Sequence, residues 1–327
     1  MPGSQLPFTL DDFSRAAKII AEHFQPTPQY SWPLLEQETG ISIMVKHENH
    51  TPLGAFKARG GLVHITNLKQ QNPDLKGIIS ATRGNHGQSL ANAARACGIP
   101  CTIVVPHGNS LEKNAAIKAL GASLIESGQN FDEAKKAAIE RARQYELHFV
   151  SSFHLDLVLG VGTYGIELMK AAPDLDAIYV PIGLGSGICG LMTARDALGH
   201  KAKIIGVVSE DAPAYALSFE QNKPVNAPAS TFADGIAVGV PDPGAVDMIV
   251  KGTERVIRVS NDSIAGAVRM LYRTTHNLAE GAGAAALAGL LQEKKLMSDK
   301  KVAVILTGQN IDTADMATIL QGNTPLP

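Results

Sequence analysis

Short apolar runs alternate with longer amphipathic stretches along most of this chain. Between residues 78 and 151 the runs are rich in isoleucine and valine, and the stretches between them carry apolar residues at helical spacing. This pattern predicts strands at 78–80, 102–105, 123–126 and 148–151, separated by helices at 89–97, 111–120 and 131–145. Such alternation is typical of a parallel sheet with helices on both faces.

The same pattern returns in the second half of the chain. It predicts strands at 177–180, 203–208, 256–259 and 301–306, with helices near 158–170, 188–198, 262–277 and 281–292. Two sets of about four strands indicate an α/β protein with two doubly wound domains, each built on a mainly parallel sheet. The proline-rich, charge-poor stretch 223–243 predicts a long loop inside the second domain.

Composition narrows the range of partners. The 327 residues carry a net charge of −2 and their basic residues do not cluster, so we expect no nucleic-acid partner. No apolar run approaches the length of a membrane span, so we expect no contact with a membrane. Cys97, Cys101 and Cys189 are too few and wrongly spaced for a zinc site or a disulfide framework. We therefore expect a cytoplasmic protein without a metal site.

Lys57 stands in a segment of mostly small residues, with the sequence GAFKARGG at 54–61. A lysine enclosed in this way can be held in a tight, partly desolvated place, where its ammonium group loses a proton easily and becomes a nucleophile. Taken alone, the pattern fits a surface lysine at the start of a helix equally well, because most lysines are solvated.

A polar loop with the sequence SATRGNHGQS occupies residues 80–89, between a predicted strand and an alanine-rich helix. Backbone N–H groups at the start of a helix, together with Thr82, form a natural receptor for a carboxylate. The alternative is an ordinary strand-to-helix turn that contains an asparagine.

A glycine-rich loop at 183–187 follows the predicted strand at 177–180 and precedes a predicted helix. Closely spaced glycines let backbone N–H groups converge on a phosphate, and the dipole of the helix favours negative charge there. The loop therefore predicts a phosphate-binding site.

The same loop also matches a dinucleotide fingerprint. From Gly185 to Gly190 the sequence is GxGxxG after a strand, and Glu210 supplies an acidic residue twenty positions after the last glycine. An NAD-dependent oxidoreductase is therefore an alternative. It ranks lower because such fingerprints usually open the first strand of their domain, and because it leaves the segments at 54–61 and 80–89 without a role.

Thr307 ends the predicted strand at 301–306 and precedes Gly308. By itself it indicates only a buried strand with a polar end.

These four segments together resemble the motifs of the fold-type II pyridoxal-phosphate (PLP) enzymes, in the threonine/serine dehydratase and serine racemase branch. Segments at 231–237 and 278–284 also resemble family segments, so the resemblance covers nearly the whole chain in the family's order. It implies a fold like that of the tryptophan synthase β-subunit, PLP as cofactor, and a homodimer. It also implies a large PLP-binding domain at 1–52 and 155–327, and a small domain at 53–154 that carries the substrate loop.

The resemblance implies a role for each motif residue. Lys57 is the catalytic residue, which forms the Schiff base with PLP and removes the α-proton of the substrate. Asn85 bonds the phenolic oxygen of PLP, the loop 183–187 binds its phosphate, and Thr307 faces its pyridine nitrogen. The implied cofactor-binding residues are Phe56, Lys57, Asn85, Gly183, Leu184, Gly185, Ser186, Gly187 and Thr307. The implied substrate-binding residues are Thr82, Arg83, Gly84 and His86.

The implied reaction is α,β-elimination, which converts a β-hydroxy L-amino acid of the threonine or serine type, or one with a larger β-substituent such as 3-phenylserine, to a 2-oxo acid and ammonia. A 3-hydroxyaspartate ammonia-lyase and a serine racemase-like enzyme are alternatives. The hydroxyl of Thr307 cannot protonate the pyridine ring as a carboxylate would, and the resulting moderate electron sink suits elimination. A catalytically idle protein with the PLP fold is a third class, against which the intact Lys57, Asn85 and Thr307 argue.

Two departures from the family bear on the substrate, and one bears on a cation. Arg83 stands where serine racemase has its second acid/base serine, and because a guanidinium stays charged we expect weak racemase activity. Three alternatives follow for the Arg83 side chain. It binds a carboxylate of the substrate, either the α-carboxylate or a second one, as in a 3-hydroxyaspartate ammonia-lyase, or it packs on an aromatic β-substituent, as in 3-phenylserine. The third alternative is that it points to solvent. Phe153, Leu155 and Leu157 would floor an apolar pocket or belong to the core. Val208 falls where the family has a cation-binding glutamate.

Overall fold

The computed structural model describes residues 7–327, so residues 1–6 of the predicted large domain lie outside the described part. The strands are β1 (Gln29–Ser31), β2 (Ser42–His47), β3 (Ile78–Ala81), β4 (Cys101–Val105), β5 (Ser123–Glu126), β6 (His148–Phe149), β7 (Ala177–Pro181), β8 (Lys203–Ser209), β9 (Arg255–Val259) and β10 (Lys301–Leu306). The helices are α1 (Leu10–Ala21), α2 (Pro33–Thr39), α3 (Lys57–Gln71), α4 (Asn85–Ala96), α5 (Leu111–Ala119), α6 (Phe131–Gln144), α7 (Leu155–Ala171), α8 (Ser186–Leu198), α9 (Ala214–Gln221), α10 (Pro243–Gly252), α11 (Asn261–Thr275), α12 (Gly281–Gln292) and α13 (Thr313–Leu320). No described helix combines the length with the apolar composition that crossing a bilayer requires.

The strands form two sheets. The first has six strands in the order β1-β2-β10-β7-β8-β9, and the second has four in the order β5-β4-β3-β6. Neighbouring strands are parallel throughout, except that β1 runs antiparallel to β2. The predicted α/β architecture with two mainly parallel sheets is confirmed.

The two sheets draw on different parts of the chain. The four-stranded sheet uses strands between residues 78 and 149, whereas the six-stranded sheet combines β1 and β2 with β7 to β10. β2 pairs with β10 over its whole length, from Ser42 opposite Lys301 to His47 opposite Leu306. This distribution supports the domain boundaries near 53 and 154, which stay a prediction because α3 packs against both α4 and α7.

Each face of the six-stranded sheet has its own apolar core. Ala177 and Tyr179 of β7 pack with residues of α11 and α12, whereas Ile178 and Val180 pack with residues of α7 and α8. Successive side chains of a strand point to opposite faces, so a strand covered on both faces is apolar at every position. The alanine-rich α12 is buried along most of its length, as expected for a helix that is apolar all round.

The apolar pattern does not predict β1, β2, α1, α2, α9, α10 or α13, and the strand predicted at 148–151 has only two residues in β6. Buried charges explain the failure at β2. Lys46 at its end is fully buried, and its amine lies 2.6 Å from the carboxylate of Glu167 on α7. Glu48 is buried against Arg59 of α3, at 2.8 Å. A sequence pattern treats such residues as solvated, but here each charge has a partner.

Candidate active site

A cavity of about 800 Å³ opens where the carboxyl ends of strands from both sheets meet. Segments that follow β3, β7 and β10 line it, together with the start of α3. Crevices of this kind are the usual ligand sites of α/β proteins. Every residue that the sequence predicts for the site lines this one cavity, namely Phe56, Lys57, Thr82, Arg83, Gly84, Asn85, His86, Gly183, Leu184, Gly185, Ser186, Gly187 and Thr307. Their individual roles stay predictions.

Lys57 is the first residue of α3, and its side chain is half-buried where it lines the cavity. Burial lowers the pKa of its amine to about 8, although the nearby carboxylate of Glu280 opposes the shift. An amine with so low a pKa is partly neutral near physiological pH, so it can act as a nucleophile and as a base. The alternative of a solvated surface lysine is wrong.

Two contacts fix the backbone on either side of the Lys57 side chain. The N–H of Phe56 donates to the carbonyl oxygen of Thr307 at 2.9 Å, which ties the segment to the end of β10. The hydroxyl of Ser89 on α4 donates to the carbonyl oxygen of Lys57. The lysine is therefore held between the two sheets, beside the threonine that the sequence places in the same site.

The loop 183–187 leads into α8, which begins at Ser186. Close packing requires its glycines: a Cβ on Gly183 would lie 2.2 Å from the carbonyl oxygen of Gly235. Gly185 has a φ of +100°, and a Cβ there would lie 2.5 Å from the Cβ of Ala245. The first N–H groups of a helix have no partner within the helix and bind anions well. The loop therefore fits a phosphate group.

The polar loop becomes helical earlier than the sequence predicts, because α4 begins at Asn85. The side-chain amide of Asn85 donates to Glu280 at 2.7 Å, and its Oδ1 accepts from the amide of Asn310 at 2.8 Å. The hydroxyl of Thr82 accepts from the N–H of Gly84 at 3.1 Å. These bonds hold the loop, and with it the N-terminus of α4, at the cavity.

His86 carries a buried ring nitrogen, Nε2, that has no hydrogen-bond partner among the residues the structure describes. Burial, aided by the charge of Lys57, lowers the pKa of the imidazole to about 3, so the ring is neutral at physiological pH. A buried polar atom without a partner is unusual in a folded protein. Since His86 lines the cavity, a polar group of a bound ligand is the natural partner for this nitrogen.

Six charged residues outside the sequence-predicted set also line the cavity: Lys113, Asp132, Lys135, Asp234, Asp242 and Glu280. The amine of Lys113 lies 3.0 Å from Asp234, and the guanidinium of Arg83 lies 3.2 Å from the same carboxylate. Burial raises the pKa of Glu280, although the charge of Lys113 opposes the shift. Asp234 and Glu280 belong to segments that resemble family segments, whereas nothing in the sequence around Lys113 marks it.

The apolar side of the cavity differs from the prediction. Phe153 lines the cavity together with Phe131 and Phe149. Leu155 and Leu157 do not, because α7 begins at Leu155, whose side chain is exposed, while Leu157 is buried in the core. Successive side chains of a helix point about 100° apart, so Leu155 and Leu157, two positions apart, point in nearly opposite directions. They therefore cannot both line the cavity next to Phe153. The expectation that they floor the pocket is wrong.

Two of the four residues of the dinucleotide alternative, Gly190 and Glu210, lie outside the cavity. A Cβ on Gly190 would lie 2.8 Å from backbone atoms of both Gly162 and Val158, so this glycine serves the close packing of α8 on α7. Glu210 is exposed after β8, and neither Gly190 nor Glu210 lines the cavity. Two of the residues that the fingerprint requires therefore have no part in the site.

Comparison with known proteins identifies relatives over nearly the whole chain. The family described as pyridoxal-phosphate dependent enzyme matches residues 20–308. The chain is 34% identical to L-threonine ammonia-lyase of Thermotoga maritima over 306 residues, 93% of this chain and 76% of that protein. It is 36% identical to L-threonine ammonia-lyase of Geobacter sulfurreducens over 318 residues, 97% of this chain and 78% of that protein. A crystal structure of a pyridoxal 5'-phosphate-dependent aspartate racemase superposes with a TM-score of 0.89 at 28% identity, covering 95% of this chain and 98% of that one.

Proposed function

The chain belongs to the family of pyridoxal-phosphate-dependent enzymes, and on that premise we propose that it dehydrates β-hydroxy L-amino acids whose β-substituent is larger than the methyl group of threonine. It is a PLP-dependent carbon–nitrogen lyase, similar to the L-threonine ammonia-lyases. The products would be ammonia and the 2-oxo acid that keeps the β-substituent.

The residues of the cavity suit the cofactor at several points. The loop 183–187 and the N-terminus of α8 would hold its phosphate, and Lys57 would anchor it covalently. Thr307 and Asn85 would hold the ring by hydrogen bonds, without a carboxylate at the pyridine nitrogen. When bound, PLP withdraws electrons from the α-carbon and so stabilises the negative charge left when the α-proton departs.

Lys57 is the group that would move the α-proton. At a pKa of about 8 its amine is a stronger base than a carboxylate, yet part of it is neutral at physiological pH. The N–H groups at the start of α4, with Thr82, would bind the α-carboxylate and so orient the substrate. Once the amino group of the substrate has displaced Lys57 from the cofactor, the freed Nζ of Lys57 would take the α-proton, and the β-hydroxyl would leave with a proton as water.

The aromatic lining of the cavity carries the proposal for a large β-substituent. The volume of about 800 Å³ has to hold both the cofactor and the substrate, so the volume alone does not select a substituent. Phe131 and Phe149, which pack against the same core cluster, give the cavity aromatic surface that the single methyl group of threonine would leave largely unused. Aromatic pairs add about 0.5–1.5 kcal/mol beyond the burial of area, which would favour a substrate such as 3-phenylserine.

A substrate panel tests this proposal. Release of 2-oxo acid would be measured with L-serine, L-threonine, 3-hydroxyaspartate and 3-phenylserine, and we expect the highest kcat/KM for 3-phenylserine. Replacing Phe149 by Leu should lower kcat/KM for 3-phenylserine more than for threonine, since only the larger substrate reaches the aromatic surface formed by Phe131 and Phe149. A wild-type enzyme that prefers threonine or serine would contradict the proposal for a large substituent.

The charges at the cavity favour a second candidate, 3-hydroxyaspartate ammonia-lyase. Arg83 and Lys113 both line the cavity and share Asp234, so a second carboxylate on the substrate could take the place of that aspartate. An Arg83→Ser variant separates the possibilities. Selective loss of kcat/KM for 3-hydroxyaspartate supports this candidate, whereas an equal loss for all four substrates indicates that Arg83 binds the α-carboxylate.

A further inference from the structure

His64, His154 and Asp156 lie together away from the cavity, where α3 meets the start of α7. One ligand atom from each side chain lies within 4.8 Å of the others. None of the three lines the active-site cavity. We propose that they form a binding site for a divalent transition-metal ion such as Zn²⁺, which would join α3 to α7.

Hydrogen bonds already hold the three side chains in place. The Nδ1 of His64 lies 3.2 Å from one carboxylate oxygen of Asp156, and the amide of Asn67 donates to the other at 3.1 Å. His154 is the N-cap of α7, where its Nδ1 accepts from the N–H of Asp156 at 3.1 Å. The two imidazole rings lie 4.3 Å apart between centroids. A bound ion would exchange contacts among these side chains for bonds to itself.

The chemical types of the three ligands determine which metal ions the site would bind. Two imidazoles and one carboxylate suit Zn²⁺, Co²⁺ or Ni²⁺, whereas Mg²⁺ and Ca²⁺ prefer oxygen ligands. His64 is buried, but half of the His154 side chain is exposed, which leaves a path for the ion and room for water ligands. Asn67 would not bind the ion itself. It would orient the ligand Asp156 through its hydrogen bond, as the hydrogen-bond partners of metal ligands commonly do.

The position of the site between α3 and α7 means that a bound ion would affect the stability of the fold. His64 lies two helical turns after Lys57 on α3, and His154 and Asp156 lie where the chain leaves β6 and enters α7. A bound ion would therefore crosslink the helix that carries Lys57 to the helix that returns the chain to the six-stranded sheet. Because the unfolded chain cannot offer the same arrangement, the ion should stabilise the folded state.

The experiment is a calorimetric titration of the PLP-loaded enzyme with Zn²⁺ alone, repeated with Co²⁺ to record the visible absorption of the bound ion. His154→Asn is the main variant, because asparagine keeps the N-cap of α7 but removes the imidazole. Asn67→Ala tests the outer partner. His23→Ala is the control, since His23 is exposed and distant from the site in sequence.

The wild type should bind one Zn²⁺ per chain and show a raised melting temperature in its presence. Asn67→Ala should raise Kd about 10–100-fold, and His154→Asn should raise it by at least as much, while His23→Ala should bind as the wild type does. Absence of Zn²⁺ binding to the wild type would overturn the proposal. Unchanged affinity and stoichiometry in His154→Asn would overturn it as well, because the ion would then lie elsewhere, for example at the cofactor.

Discussion

Burial shifts the pKa values of individual residues at the cavity. Removal from water lowers the pKa of Lys57 to about 8 and that of His86 to about 3, in each case by penalising the charged form. The lysine therefore has a useful fraction of neutral amine, and the histidine has almost no charged form at all. The same effect raises the pKa of Glu280, a carboxyl group close to Lys57.

The pKa of Lys57 makes a prediction about covalent attachment of the cofactor. Only the neutral amine attacks the aldehyde, so the rate at which apoenzyme takes up PLP should rise with pH, reach half its maximum near pH 8 and level off above that pH. The rate would be measured by stopped-flow absorbance of the bound cofactor at a series of pH values. A rate that keeps rising towards 10.5, the value of an ordinary lysine, would show that Lys57 is not held as described.

At the scale of elements, five helices begin at the cavity. They are α3, α4, α6, α8 and α10, whose first residues Lys57, Asn85, Phe131, Ser186 and Pro243 all line the cavity. The N-terminus of a helix carries a partial positive charge of about half a unit and unpaired N–H groups. Such a convergence suits a ligand with two anionic groups, as a phosphate and an α-carboxylate would be.

A substitution at the start of α8 tests the anion site. Gly185→Asp should raise the Kd for PLP roughly 100-fold, equivalent to ~2.7 kcal/mol, because it places a side chain where Ala245 leaves no room and a carboxylate where a phosphate would bind. Gly199→Asp is the matched control, since Gly199 caps the other end of α8, also has a positive φ of +63°, and has open space around it. Circular dichroism would check that both variants fold.

Equal affinity for PLP in a folded Gly185→Asp variant and in the Gly199→Asp control would mean that the phosphate binds elsewhere.

The elements around the cavity are largely predictable because their signals are local. Runs of apolar residues that end in a polar or glycine-rich turn mark β3, β7 and β10, and the site residues follow directly after them. Contacts between distant segments are not predictable in this way. Lys113 and Asp234 are 121 positions apart and meet only in the folded chain. Leu155 and Leu157 do not line the cavity because α7 begins at Leu155, three residues before the predicted helix.

At the scale of the whole molecule, a buried ionic network joins β2 of the six-stranded sheet to α3 and α7. Arg59 of α3 contacts Glu48 after β2 at 2.8 Å and Glu167 of α7 at 2.7 Å, and Lys46 of β2 contacts the same Glu167 at 2.6 Å. Burial acts to raise the pKa of Glu167, but the charges of Arg59 and Lys46 outweigh it and hold the pKa below its usual value. Such a network favours one arrangement of β2, α3 and α7, because each buried charge needs its oppositely charged partners.

Removal of one member should therefore destabilise the fold strongly. Arg59→Met should lower the free energy of unfolding by about 3–5 kcal/mol, because it leaves Glu48 and Glu167 without their main partner. The exposed pair of Lys251 and Asp247 provides the control, and Lys251→Met should change the same quantity by less than about 0.5 kcal/mol. Urea titration would measure the free energy of unfolding of both variants. Similar losses in the two would show that the buried network contributes no more to stability than an exposed ion pair.

The central claim is that the cavity is a PLP site in which Lys57 is the covalent anchor. The most direct measurement is to reduce the PLP-loaded enzyme with borohydride, digest it, and locate the modified lysine by mass spectrometry. The account predicts one modified peptide, with the mass of the reduced cofactor on Lys57. Modification of Lys113 or Lys135, the other lysines that line the cavity, or of no lysine at all, would contradict it.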